Sequence, residues 1–351
     1  MTMLTRLVKS ASLALSCCTS VAAAAYPDGR PVATLRMDAV DQGVVLRHGD
    51  GPSGCDAHGA RDLWVYEDRG TYYMNYDGAG PTGWLACLAT SGDLVHWTKK
   101  GPVLSLGAPG EPDSASASYG TTYNDNGAWH MFYLGTPHAS GPGRVPSFPY
   151  LTLAARGSSP AGPWVKQRDV VPFAPRPGTY YDTTASPGQI VKQGADYLMF
   201  FSASGRSPLR RTIGIARTRD LDGPWQVDAA PIVPPAEQVE NTSLYYEASI
   251  KTWFLFTNHI GLAPGRGEYT DAVWVYWSRT LDHWNPDDKA VVIDGRNCKW
   301  SPVCIGLPGV VRRANRLAVL YDGPGGSSSD HMNRDIGLAW LGLPLRVPTS
   351  R

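Results

Sequence analysis

The sequence predicts an all-β chain folded as a five-bladed β-propeller, and three observations carry that prediction. A phrase closing on tryptophan recurs as Thr90–Trp97 (TSGDLVHW), Ser158–Trp164 (SSPAGPW), Thr218–Trp225 (TRDLDGPW) and Ser278–Trp284 (SRTLDHW), with the tryptophans 67, 61 and 59 residues apart. Upstream of each lies an aromatic, β-rich segment: Tyr72–Tyr76, Trp129–Tyr133, Tyr197–Phe201 and Trp253–Thr257, with a fifth, Leu317–Tyr321, that lacks its tryptophan. Short strand-like runs alternate throughout with Gly, Pro, Asn and Asp turns. Self-similarity at a fixed period means units that bury their apolar faces only against one another. A multi-stranded repeat of this length is a propeller blade.

The elements follow in order. Residues 1–25 read as a cleavable export signal: Arg6 and Lys9 precede the apolar stretch Ala11–Val21, and Ala22–Ala25 offers small-residue cleavage before Tyr26. A lipoprotein signal at Cys17 and Cys18 is the weaker alternative, and the stretch is too short for a spanning helix. Residues 26–351 form the propeller as one domain, secreted or periplasmic. Blade 1 comprises Leu63–Tyr66, Tyr72–Tyr76, Leu85–Ala89 and Trp97–Leu104. Blade 2 covers Tyr119–Val171, blade 3 Gln189–Val233 and blade 4 Leu244–Ile293. Blade 5 starts near Pro308, ends with Ile336–Leu341, and is short of strands. An N-terminal segment, Val32–Met37 or Val44–Arg47, is expected to complete it and close the ring. The repeated aspartate and tryptophan are read as turn cap and packing residue, because packing is needed in every blade and catalysis only once.

Without Arg6 and Lys9 the chain carries 30 basic and 31 acidic side chains. That balance leaves no electrostatic footprint for nucleic acid or an anionic membrane. Abundant tryptophan and tyrosine suit a carbohydrate partner, whose ring faces stack on aromatic ones; the oligomeric state is not legible. Cys55, Cys87, Cys298 and Cys304 remain after the signal, and export permits disulfides. Cys298–Cys304 and Cys55–Cys87 are the expected pairs. Zinc is the rival reading, though no supporting histidine cluster accompanies them.

Chemistry in a ring of similar units belongs where one unit departs from the rest, at the opening ends of the inner strands. Asp62 begins the first inner strand, Asp182 precedes the third and Glu240 precedes the fourth. Asp56, Asp113 and Asp182 also form a repeated set, each a similar distance ahead of its inner strand. Asp56 is therefore an alternative to Asp62, and Asp113 an alternative to Asp182; the other reading is that all three cap loops. Glu247 is a lesser rival of Glu240. His58, His259 and Arg334 are candidate substrate contacts at the same mouth, with Trp84 and Tyr180–Tyr181 as candidate stacking platforms. For each, a packing or ion-pairing role is the alternative.

On these residues the chain resembles the five-bladed glycoside hydrolases, the superfamily of families 43, 62, 32, 68, 117 and 130. Asp62-Leu63-Trp64-Val65 followed by Gly70-Thr71-Tyr72-Tyr73 is similar to their D-P-x-V…G-x-Y-Y opening, with Leu63 in place of proline. Glu240-Asn241-Thr242-Ser243-Leu244-Tyr245 resembles the E-G-P-x-(I/L)-Y element, again without proline. Asp182 lies about four residues upstream of the family's second aspartate. The resemblance implies a glycosidase with Asp62 as base or nucleophile, Glu240 as acid, and Asp182 orienting Glu240 and raising its pKa. It implies no required cofactor, although a structural calcium occurs in some such propellers. A carbohydrate-binding propeller without catalysis is the first alternative. A family-130-like phosphorylase using Arg210-Arg211 for phosphate, and a protein-interaction propeller, follow it.

Overall fold

The computed structural model describes residues 26, 28–206, 208–263 and 267–349. The export signal expected over residues 1–25, including Cys17 and Cys18, lies outside the described residues. Among the described residues no helix is long and apolar enough to cross a membrane.

The strands form one 8-stranded sheet, which divides into blades 1 and 2, two 5-stranded sheets, one 4-stranded sheet and a 2-stranded hairpin, with almost all pairings antiparallel. Blade 1 runs from the axis outward as Ala60–Asp68, Thr71–Gly80, Gly83–Ser91 and Trp97–Pro102. Blade 2 is Ser116–Asp125, Ala128–Thr136, Leu151–Gly157 and Trp164–Gln167, joined to blade 1 by a short parallel contact, Trp84 with Ser116. In blade 3 the inner edge is split into Thr184–Ser186 and Ile190–Gln193, both pairing with Asp196–Arg206, and Leu209–Thr218 and Gln226–Val227 complete it. Pro187 between the two pieces cannot donate to the ladder, which accounts for the break. Blade 4 is Val239–Glu247, Thr252–Ala263, Gly267–Ser278 and Lys289–Ile293.

Blade 5 has three strands from the C-terminal part, Gly309–Arg313, Arg316–Gly323 and Asp335–Gly342. Its fourth is the N-terminal strand Val40–Leu46, antiparallel to Asp335–Gly342. The closing segment therefore overlaps the Val44–Arg47 expectation. The other candidate, around Leu35–Arg36, instead lies parallel to Lys289–Ile293 on the edge of blade 4. A hairpin, Ala139–Ser140 with Val145–Pro146, projects from blade 2 and has no counterpart in the repeat.

Apolar clusters show how the ring closes. Phe254 and Phe256 pack with Leu317, Val319 and Tyr321 between blades 4 and 5. Ala318 and Leu320 turn the other way, onto Leu63, Val65, Met74 and Tyr76 of blade 1. Leu198 and Phe200 meet Leu244, Leu255 and Trp274 between blades 3 and 4, whereas Met199 and Phe201 meet Phe132 of blade 2. Met131 and Tyr133 face Ala86 and Leu104 of blade 1. Alternate side chains of each second strand thus enter opposite interfaces. This is why segments such as YLMFF carry no polar alternation: both faces are core.

The recurring tryptophan phrase is a turn anchor, as its repetition implies. Asp93 Oδ1 accepts the Val95 and His96 N–H groups at 2.8 Å, and the Trp97 indole donates to Leu94 O at 2.9 Å. Trp284 repeats the last contact with Leu281 O. Cys55 and Cys87 form a disulfide. The expected Cys298–Cys304 bridge is corrected: both thiols are free and buried. Cys298 Sγ lies 3.5 Å from the Tyr321 hydroxyl, and Cys304 Sγ accepts from Arg334 Nη2 at 2.9 Å, so each sulfur serves a separate partner.

Candidate active site

Three inner strands open with the same local irregularity. Strand register shifts between Arg61 and Leu63, between Ser118 and Gly120, and between Glu240 and Ser243. Within these bulges Asp62, Tyr119 and Asn241 take positive φ of 43°, 42° and 60°. A bulge bends its strand and re-aims a side chain. Here it turns blade openings toward one cavity of about 120 Å³, lined by Asp62, Asp77, Glu240 and Glu268 with Arg61 and Arg211. Tyr119, Tyr150, Tyr269 and Trp84 contribute aromatic surface, and Val145–Pro146 of the blade 2 hairpin forms part of the wall. The Trp84 indole pins that hairpin by donating to Gly143 O at 3.0 Å.

Asp62 is held from two sides. Its N–H donates to Asp322 Oδ2 at 2.9 Å, and its Oδ2 accepts from Arg61 Nε at 3.1 Å. Arg61 also meets His331 Nδ1 at 2.8 Å and lies over the Trp84 ring. The Arg61 charge, and then burial, lowers the His331 pKa to about 4, so His331 enters that contact as a neutral acceptor. Across the cavity, Glu240 Oε2 is 3.2 Å from Arg211 Nη1, and Asn258 Nδ2 donates to its Oε1 at 3.4 Å. Arg211 is clamped by Glu268 through two bonds of 3.0 and 2.6 Å. Burial raises the Glu240 pKa; Arg211 opposes this, while the Glu268 and Asp62 charges reinforce it, and the net shift is upward. Glu240 therefore holds its proton to higher pH than an ordinary glutamate.

The other sequence-predicted residues lie elsewhere. Asp56 is buried in a tether, accepting from Gly51 N at 3.0 Å and Tyr76 OH at 3.2 Å and pairing with Lys99 Nζ at 2.6 Å. Asp113 repeats this with Tyr133 OH at 2.8 Å, Lys166 and Arg168. Glu237 of blade 4 does the same with Tyr276 OH and Lys289. These acids staple each blade's opening to its outer strand. Asp182 is the blade 3 member of the repeated set and stands outside the cavity lining, bound to Gly178 N at 3.1 Å and Arg206 Nε at 3.2 Å. Four residues on, Ser186 lines the cavity instead.

His58 is exposed and outside the lining. His259 is buried, stacked on Trp274 at 3.8 Å between centroids and bonded to Asp271 and Arg30. Arg334 is buried against Asp322, the acceptor of the Asp62 N–H, and so supports Asp62 from behind. Glu247 binds Ser249 and Leu345 N. Of the proposed platforms, Trp84 reaches the cavity with Arg61 over its ring, whereas Tyr180 and Tyr181 pack on Phe201.

No family model matches the chain, and no curated protein is similar to it in sequence. Solved structures are similar. A glycoside hydrolase aligns with TM-score 0.66 at 14% identity, covering 90% of this chain and 96% of its own. A family 117 glycoside hydrolase from the marine bacterium Zobellia galactanivorans aligns at 0.63 and 14%, over 89% and 93%. The catalytic domain of a GH62 α-L-arabinofuranosidase from Coprinopsis cinerea aligns at 0.61 and 12%, over 88% and 98%. The chain has the propeller glycoside hydrolase fold.

Within this fold the cavity brings Asp62 of blade 1 and Glu240 of blade 4, among its four carboxyls, into one lining, and burial raises the Glu240 pKa. Such a pair can deliver a proton and stabilise or attack the carbon left behind. Of the Arg210-Arg211 pair read as a phosphate site, Arg211 lines the cavity with its guanidinium bonded to Glu268, Glu240 and Thr184. Among the described residues no group of three or more acid, histidine or cysteine side chains is arranged to hold a metal ion. Sequence reasoning missed Asp77, Arg61, Glu268 and His331. Asp77 ends an apolar run as YDGAG, a break in pattern that marks it; the others carry no local signal.

Proposed function

We propose that this protein is an exported glycoside hydrolase in which Glu240 is the general acid and Asp62 the base or nucleophile. The observation that carries the reading is the convergence of these two carboxyls, separated along the chain by three blades, on one aromatic-walled cavity. In that reading Glu240 gives its proton to the leaving oxygen. Asp62, fixed by Asp322 and Arg61, acts on the sugar carbon directly or through water. Arg211 orients Glu240 without neutralising it, since Glu268 already shares its charge. Asp182 has no part in this mechanism, because its carboxylate is tied to Gly178 and Arg206 away from the cavity.

A sugar-binding propeller without catalysis is the second reading. It is favoured by Ser186 lining the cavity in the place of a third blade acid and by the Glu240–Arg211 ion pair. Hydrolysis of a panel of aryl glycosides and plant, algal and microbial polysaccharides separates the two. The glycosidase reading expects turnover that falls about a thousandfold in Asp62→Asn and Glu240→Gln and stays within severalfold of wild type in Asp182→Asn. Sugar binding without turnover in wild type would support the second reading.

A further inference from the structure

Asp77 is a buried acid that none of the roles assigned above uses. It sits near the end of Thr71–Gly80, opposite Arg61 in the strand register, at the bulge that re-aims Asp62. It is 3% exposed and lines the cavity. Its Oδ1 has no hydrogen-bond partner among the described residues. A buried carboxyl oxygen left alone is costly, and native structures pair such groups with protein, water or ligand. The cavity is where a partner can come from.

Charge narrows the partner. Asp62 is close enough to act electrostatically on Asp77, which disfavours an anion. Arg61 and Arg211 already pair with Asp62, Glu240 and Glu268 in the same lining, which disfavours a cation. A neutral, hydroxyl-bearing ligand fits both conditions.

We propose that Asp77 is a substrate-contacting specificity residue whose side chain holds one hydroxyl of the sugar seated between Asp62 and Glu240. This deepens the glycosidase reading and rests on it for the identity of the ligand as a sugar. Burial, then the Asp62 charge, raises the Asp77 pKa well above the ordinary aspartate value, although Arg61, the Ser118 hydroxyl and the Tyr119 N–H pull the other way. That upward shift favours the neutral carboxyl more than in an ordinary aspartate, and the neutral form can donate through one oxygen and accept through the other. Asparagine shares that neutral, two-sided character, and alanine does not.

The test combines three measurements on Asp77→Asn and Asp77→Ala, both checked for wild-type folding by circular dichroism. Infrared difference spectra at neutral pH should show a protonated carboxyl band that disappears in Asp77→Asn. Calorimetric titration with a panel of free pentoses and hexoses, and with the deoxy forms of the best binder, should show affinity falling about tenfold or more in Asp77→Ala. Asp77→Asn should lose less, and one deoxy sugar should bind wild type and Asp77→Ala alike. In turnover, Asp77→Ala should raise KM more than it lowers kcat. Wild-type affinity and KM in Asp77→Ala would overturn the proposal, as would Asp77→Asn as inactive as Asp62→Asn, which would make Asp77 an ionised base. If wild type binds sugar without turning it over, the glycosidase reading fails while the binding arm still decides on Asp77. Wild type that binds no sugar overturns both.

Discussion

Glu240 carries the clearest residue-scale consequence of burial. A carboxyl whose folded pKa is raised contributes stability that is fully present below its unfolded value and lost as pH rises through the folded one. At neutral pH its ionised form is a cost to the fold. Glu240→Gln should therefore raise Tm at pH 7, and the gain should vanish below the ordinary glutamate pKa; thermal melts across pH check this. Asp113 has the opposite sign. Burial works to raise its pKa, but bonds from Lys166, Arg168 and Tyr133 outweigh it, so its stabilisation is present at neutral pH and lost as pH falls through the lowered value. Asp113→Ala strands Lys166 in a buried position and should cost about 3–5 kcal/mol in denaturant unfolding. Asp182→Ala, which removes a pair with the exposed Arg206, should leave denaturant unfolding close to wild type. Both acids occupy the same position in the repeated sequence phrase. Their partners separate them: Asp113 is held by Tyr133, Lys166 and Arg168, whereas blade 3 has Phe201 in the place of Tyr133 and Asp182 binds Gly178 N and Arg206, and none of these residues lies in the aspartate motif itself.

At the scale of elements, strand bulges decide what the site contains. Asp62 and Glu240 were legible because they stand where inner strands open, and the bulges turn them inward. Asp77 and Glu268 were not: Asp77 lies on the strand next to the blade 1 opening and Glu268 on the third strand of blade 4, and each becomes visible only once cross-strand register is known. Cysteine pairing shows the same limit. Cys298 and Cys304 are close in sequence, yet the loop between them directs one thiol to Tyr321 and the other to Arg334 and Thr270. Thiol titration of the unfolded, unreduced mature chain should accordingly find Cys298 and Cys304 free. Cys55 and Cys87 close a loop with sequence separation 32 that ties the approach to blade 1 to its third strand. Replacing both with serine should cost about 2–4 kcal/mol.

The whole molecule is a ring whose last sheet takes its outer strand from the N-terminal part of the chain, Val40–Leu46. That closure was readable from a deficit, since blade 5 lacked room for four strands. The choice between two N-terminal segments was not, because both are short and apolar. Each blade interface has its own apolar cluster, so the ring should unfold as one cooperative unit. Deleting residues 26–46 would bare the Asp335–Gly342 edge and remove Leu46 from the blade 5–blade 1 cluster. Calorimetry should then show a broadened transition at lower temperature, with aggregation through the exposed strand. The same ring brings Asp62 and Glu240 together, and their roles can be separated by leaving-group chemistry. The decisive measurement is kcat/KM for a series of aryl glycosides of falling leaving-group pKa, on wild type, Asp62→Asn and Glu240→Gln. An acid at Glu240 predicts that Glu240→Gln keeps activity on the most acidic phenols and loses it progressively on poorer ones, while Asp62→Asn is impaired on all. Equal loss in Glu240→Gln across the series, or full activity in Asp62→Asn, would contradict the assignment.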